Sequence, residues 1–475
     1  MPFHVRFRLS TMMFLQYALW GAWGTVGFIY FSRKLGFTIG ETNFLFMLMP
    51  LACIVAPFIG GQIADRWFPT QYFLAFCHLA SGVLLFFMAR ASDVGTMTTL
   101  MGAFTLLYAP TLALTNSLAF HHLKDPDRQF SGLRVWGTIG WIAAGVILTL
   151  WRLLSDPAAL GEYAKEVGRS ESWAQQVPVL GAAFRGIVDG LVSLSAYVQL
   201  PVVSGDLFYL AGAFAILLGL FCLVLPSTPP SKKGVNPLAF LEALKLLKDR
   251  NFSIFLVIAF IVTTELQFYY IPTSGFLEDI GIKVANVSAV MTVAQVAEIV
   301  VLAFLLPPAI KRIGLRWTLA LGVIAWPLRY IIFAIGEPTW LVVAALSFHG
   351  FGYAFFFVAS QIYVNNVAHS DIRASAQSLL TLVTVGIGMA LGAQILTFIQ
   401  TACTTGPLPG DVYSWMVPVY DYLRHLVGTD VGTKVAVNWT YLFLVPCGLT
   451  AACALAYLVL FRPPEKQLKA EGEAA

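Results

Sequence analysis

Residues 226–250 read PSTPPSKKGVNPLAFLEALKLLKDR, a proline-rich and charged stretch in a chain that is otherwise apolar. It falls between the sixth and seventh of twelve apolar runs, so it halves the molecule. From Pro237 onward, leucines recur at 238, 241, 244 and 247. That spacing predicts a short amphipathic helix lying at a membrane interface. The division is therefore 1–225, a linker 226–251, and 252–475.

Working outward, the apolar runs predict spans at 10–32, 41–63, 70–90, 96–120, 131–153, 206–225, 252–274, 285–306, 317–335, 339–364, 373–400 and 437–461. Each approaches the roughly 20 residues that cross a bilayer as a helix. Runs of this length without alternation cannot be barrel strands. Composition agrees: of 475 residues, 58% are hydrophobic and 11% charged, against roughly 25% charged in soluble domains. So few charges cannot make a water-facing surface. The expected fold is an all-α membrane protein with two six-helix bundles.

Charge sets the expected orientation. With the N-terminus inside, most Lys and Arg fall in cytoplasmic segments, including Arg66, Lys232, Lys233, Lys245, Lys248, Arg250, Lys311, Arg312, Arg316 and Arg373. The positive-inside rule then places both termini in the cytoplasm. The net charge of +4 is spread in small clusters at span ends, which argues against a nucleic-acid partner. Arg6 and Arg8 resemble the start of a signal peptide, but the run that follows is too long for one. Six cysteines, all but Cys403 inside apolar runs, read as packing residues. Two external insertions are expected: 154–205, with room for a helix of its own, and 401–436, Gly/Pro-rich and irregular.

A faint repeat links the halves. GGQIADRW (60–67) follows span 2 and PPAIKRIGLRW (307–317) follows span 8. Leu133-Arg134 opens span 5, and Ile372-Arg373 opens span 11. Six plus six spans about a central linker resembles the major facilitator superfamily, in which two bundles rock about a cavity at their interface. Gly61, Asp65 and Arg66 resemble a shortened form of its loop signature. Asp65 and Arg66 would then pair across the halves and hold one state of the cycle, where the plainer reading is a charged turn.

Ionisable groups within spans are costly and mark cavities or partners. In span 8, Gln295 and Glu298 are three apart and share a helix face. A carboxylate there must be paired, protonated or wet, which suits a proton carrier. In span 5, Arg134, Thr138 and Trp141 form one stripe, offering a cation, a hydroxyl and a ring; alternatively Arg134 anchors the span's end. In span 7, Gln267 and Tyr270 share a face, whereas Glu265 lies about 200° from Gln267 and reads as structural. In span 10, Phe351 and Phe355 are one turn apart. Arg329 needs a partner that the sequence does not identify. His78 reads as an interhelical donor, and Gln16 and Trp20 share a face of span 1.

At these residues the chain resembles the nucleoside:proton symporter family. The similarity runs through FLQYALWGAW (14–23), IADRW (63–67), YAPTLALTN (108–116), LRVWGTIGW (133–141), ELQ (265–267), QVAE (295–298), IAWPLRYIIFAIG (324–336) and IRASAQ (372–377). The resemblance implies a substrate held between the halves by Arg134, Thr138, Trp141, Gln267, Tyr270, Gln295, Glu298, Phe351 and Phe355. Glu298 would couple the proton. The chain departs from the family pattern at Tyr270, Phe351 and Phe356, which stand where that pattern has Asn, Tyr and an acidic residue. It implies a carrier of the bacterial inner membrane, monomeric by default, whose partners are a nucleoside, protons and lipid, with no cofactor. A carrier for another small polar solute, such as a sugar or nucleobase, is the alternative. An enzyme is not expected: there is no metal spacing, no phosphate-cradling glycine loop and no triad, and the adjacent His121 and His122 diverge on a helix.

Overall fold

A computed structural model describes all residues except 1, 25, 28–29, 38, 57–66, 170–177, 199, 230–238, 283, 370–371, 407, 409–413, 430–435 and 465–475. The chain forms twelve spans in the major facilitator arrangement. Those of the first half are Phe3–Gly24, Ile39–Ala56, Thr70–Met88, Val94–His122, Pro126–Ser155 and Asp206–Cys222. Span 7 is broken into Arg250–Glu265, Gln267–Tyr270 and Thr273–Asp279. Span 8 begins at Val284 and runs past its expected end at 306, through a π-helical turn at Val301–Leu305, to Gly314. Gly314 has φ +80°, a left-handed conformation that glycine alone adopts cheaply, and it reverses the chain into span 9, which ends at Ile335. Span 10 extends from Thr339 to Val367, span 11 from Arg373 to Ala402, and span 12 is Trp439–Leu460. Asp65 and Arg66 lie outside the described residues.

Span 5 starts earlier than its hydropathy suggests. Pro126 occupies the first turn and Asp125 caps it, its carboxylate accepting from Arg128 N at 3.1 Å. Arg134 therefore lies well inside the helix and is only 2% exposed. It is no end anchor.

Three apolar cores describe how the halves meet. At the end carrying the chain termini, one continuous core joins them: Leu9, Leu118 and Phe130 from the first half with Phe255, Leu319 and Tyr363 from the second. Toward the other end the cores are separate. Trp23, Phe31, Phe104 and Phe208 fill one, and Phe276, Phe333 and Phe443 fill the other. The halves thus share one core at the terminal end and have separate cores toward the opposite end, with span 2 packed on span 11 between them.

In lipid there is no hydrophobic force between helices, so close backbone approach must hold them. Spans 1 and 5 achieve this through glycine: a Cβ added at Gly140 would collide with the Phe14 carbonyl, and one at Gly21 would lie 2.7 Å from the Trp141 carbonyl. Gly140→Val is expected to cost about 1–3 kcal/mol by overpacking, read as a lower melting temperature in detergent. Gly145→Ala, in the same helix with open space around it, is the control and should not destabilise.

The insertions are more ordered than expected. The first carries two helices, Pro157–Gly168 and Pro178–Ser195, which meet through Val167 and Val188. Arg152 clamps its base by a bidentate bridge to Asp206 at 2.6 and 2.8 Å. The second is not irregular: it contains the helix Val417–Val427. Buried Arg424 orders it by donating to the carbonyls of Thr404 and Gly406, which the local Gly/Pro content concealed. In the linker, a helix at Ala239–Leu244 and a 3-10 turn at Lys245–Lys248 lead to Asp249, which caps span 7. Leu241 and Leu247 stay exposed.

Candidate substrate site between the bundles

Two contacts bridge the halves just beyond the continuous core. Thr138 donates to Glu298 Oε1 at 2.5 Å. Arg134 Nη2 donates to the Tyr353 hydroxyl. The Arg134 guanidinium also lies 3.9 Å above the Tyr17 ring, a cation–π contact within the first half. Its Nε and Nη1 are buried and have no hydrogen-bond partner among the described residues. Arg134 and Glu298 are within electrostatic reach of one another. A cation and a carboxylate, each bonded across the interface, form the floor of the cleft.

The stripe on span 5 continues from this floor. At 1.5 Å per residue, Trp141 sits roughly 10 Å beyond Arg134, edge-on to Trp20 at 5.6 Å. Span 8 approaches span 10 closely, because a Cβ at Gly350 would lie 2.5 Å from Glu298 N. Gln295 follows Glu298 toward the open end, and its Oε1 is buried without a partner among the described residues. Tyr270 is electrostatically close to Glu298 and Tyr353, yet 44% exposed. A side chain this deep and this accessible faces a cleft.

The remaining expected residues are less central. Gln267 is half-buried with its Cγ packed toward Gly392 of span 11. Phe351 is half-buried and edge-on to Phe355 at 5.7 Å. Phe355 belongs to the continuous core below the floor. Phe356 is fully buried beside Phe255 and Phe357. Gln16 is a structural group, donating to Thr111 Oγ1 at 2.8 Å. His78 is fully buried, but neither ring nitrogen has a hydrogen-bond partner, and it packs on Tyr108 instead of acting as a donor.

Two site residues, Tyr353 and Tyr17, are absent from the sequence expectation. Tyr17 is three residues before Trp20 and shares its face, a signal that was present. Tyr353 is two residues from Phe351, which suggests the opposite face; it opens a π-helical turn, Tyr353–Val358, and its hydroxyl crosses to Arg134. Tyr353→Phe removes that acceptor and leaves a buried charged donor less satisfied, at about 1–3 kcal/mol. Closure at the terminal end should weaken by roughly 5- to 150-fold in population, measured as spin-label distances between spans 4 and 10 at that end.

A family model described as nucleoside H+ symporter matches residues 3–158 and 188–466, so the break falls in the first insertion. The putative nucleoside transporter YegT of Escherichia coli is 30% identical over 471 residues, covering 98% of this chain and 95% of that protein. The nucleoside permease NupG of Escherichia coli is 24% identical over 479 residues, covering 97% and 96%. A crystal structure of NupG matches with a TM-score of 0.60 at 22% identity, over 97% of this chain and 100% of that one. The Escherichia coli fucose:proton symporter FucP shares the fold with a TM-score of 0.62 at 11% identity, over 97% and 99%. The chain belongs to the nucleoside H+ symporter family.

Proposed function

We propose that this chain imports nucleosides together with protons by alternating access, as a monomer in a bacterial inner membrane with both termini cytoplasmic. The observation that carries the site is the pair of cross-half bonds, Thr138–Glu298 and Arg134–Tyr353, at the closed end of a cleft. The Lys and Arg bias puts the terminal end inside. The cleft then opens outward, and this conformation is the one that receives substrate.

The unspent groups match the ligand class. Arg134 Nε and Nη1 supply donors and Gln295 Oε1 an acceptor, for hydroxyls and ring edges of a nucleoside. Trp141 and Tyr270 supply faces on which a base can stack. Glu298 bonds to Thr138 across the interface, so a ligand hydroxyl that takes this carboxylate competes with the floor of the cleft. Protonation of Glu298 neutralises its carboxylate, loosens its hold on the Arg134 side of the floor and permits the loaded carrier to reorient. Phe356 offers no carboxyl, and its apolar surroundings leave coupling to other positions.

Radiolabelled uridine uptake into proteoliposomes, with and without an imposed pH gradient, tests this. Uptake beyond equilibrium only with the gradient is the expected result. Uptake of a sugar or nucleobase in preference to every nucleoside would replace the substrate, and gradient-independent equilibration would make the chain a facilitator.

A further inference from the structure

Behind the cleft, the second half buries another set of ionisable groups. Glu265 and Arg329 are both fully buried, yet the two do not form a salt bridge. Arg329 Nη2 donates to the Tyr330 hydroxyl at 2.9 Å, and Nη1 faces His349 Nδ1 at 3.4 Å. The guanidinium is packed against the rings of Tyr269, Trp326 and Tyr330 at 4.2 to 4.6 Å. Tyr330 lies beside the Glu265 carboxyl, but its hydroxyl donates to the Glu265 backbone carbonyl at 3.1 Å. Neither carboxyl oxygen of Glu265 has a hydrogen-bond donor among the described residues.

An ionised carboxylate in an apolar interior needs donors or a bonded counter-charge. Glu265 has neither in this conformation, whereas a neutral carboxylic acid fits the same space. The ionisable groups around it are Arg329 and Tyr330 on span 9 and Cys453 on span 12, with Tyr269 on its own span and His349 on span 10 facing Arg329. Span 11, which also packs here, has no ionisable residue after Arg373 at its start. Among the described residues Arg329 is the one cation in reach, and it is held by Tyr330 and His349.

The position links this group to the cleft. The helical hydrogen bonding of span 7 is interrupted at Leu266, directly after Glu265, and the next turn, Gln267–Tyr270, carries two candidate substrate residues. His349 stacks on Tyr269 at 4.8 Å and borders Tyr270 and Tyr353 at 6.0 and 5.9 Å. One aromatic layer therefore separates Arg329 from the proposed nucleoside site. Movement of the 267–270 turn alters both sides of it.

We infer that Glu265 is a second proton-binding carboxyl of the carrier, outside the nucleoside site, with Arg329 as its movable counter-charge. Glu265 carries its proton as an O–H in the outward conformation, exchanging it with external water when the 267–270 turn moves and opens the aromatic layer. When the bundles rock, Arg329 turns from Tyr330 and His349 to the carboxylate, and the proton leaves to internal water. Each cycle then moves two protons, one on Glu298 and one on Glu265. The inference rests on the proton-symport reading above.

The test is nucleoside accumulation in proteoliposomes at an imposed gradient of about one pH unit with the membrane potential clamped at zero. Each coupled proton contributes about tenfold per pH unit, so the intact chain should reach a ratio of about a hundred. Glu265→Gln should reach about ten, and Glu265→Asp, which restores an acid, should return toward a hundred. An unchanged ratio in Glu265→Gln overturns the second site while leaving proton symport intact. Failure of Glu265→Gln to fold also overturns it, because an amide replacing an acid that is already neutral must be tolerated. Absence of any gradient-driven accumulation by the intact chain instead removes the symport reading on which the inference stands.

Discussion

Glu298→Gln is expected to reduce gradient-driven accumulation of nucleoside to a ratio of about one. A carboxyl that couples must register both the proton and the solute. Glu298 bonds to Thr138 across the interface and lies within electrostatic reach of Arg134 and Tyr270. The amide keeps the shape and a hydrogen-bonding oxygen but binds no proton. Loaded and empty carriers would then reorient alike, and the solute would run down its own gradient. Glu265 cannot sustain coupling alone, because it lies behind the aromatic layer and does not face the cleft, so without Glu298 its proton crosses whether or not solute is loaded. With a gradient of one pH unit the final ratio falls about a hundredfold, from about a hundred to about one. Retained uphill uptake in this variant would end the assignment of Glu298.

The second large effect is expected at Arg134. Arg134→Gln removes the cation from the floor, breaks the bond to Tyr353 and leaves Glu298 without its nearby positive charge. Breaking a buried charged pair by deleting one member costs about 3–5 kcal/mol. Nucleoside affinity should fall by two to three orders of magnitude, read by isothermal calorimetry on detergent-purified protein. Arg134→Lys should rescue little. The guanidinium carbon sits 3.9 Å over the Tyr17 ring centre while Nη2 reaches Tyr353, and an ammonium cannot do both. Wild-type affinity in the lysine variant would show that charge alone suffices.

These two residues were legible beforehand for one reason: each is an ionisable group at helical spacing from other polar groups, and lipid makes such groups rare. Thr138 and Gln295 followed from the same face arithmetic. The angle to Gln267 reads Glu265 as structural, and the structure buries it completely. Its partner was not legible, since Arg329 and His349 lie on two other spans. Tyr353 escaped because a side chain's azimuth depends on backbone irregularity, and the π-helical turn that it opens leaves little trace in composition.

The sequence by itself determined that this chain spans the membrane, that it is built of two sets of six helices, and which intramembrane polar residues were worth attention. Those properties depend on solvent and helical period, which are local and read directly from residue order. Only the tertiary structure decided that the halves share a core at one end and have separate cores toward the other, that Arg134 and Glu298 reach across to Tyr353 and Thr138, and that Arg329 leaves Glu265 without a donor. Each of these is a relation between helices far apart in the chain, set by backbone approach at positions such as Gly140 and Gly350, and no one-dimensional pattern encodes the distance between them.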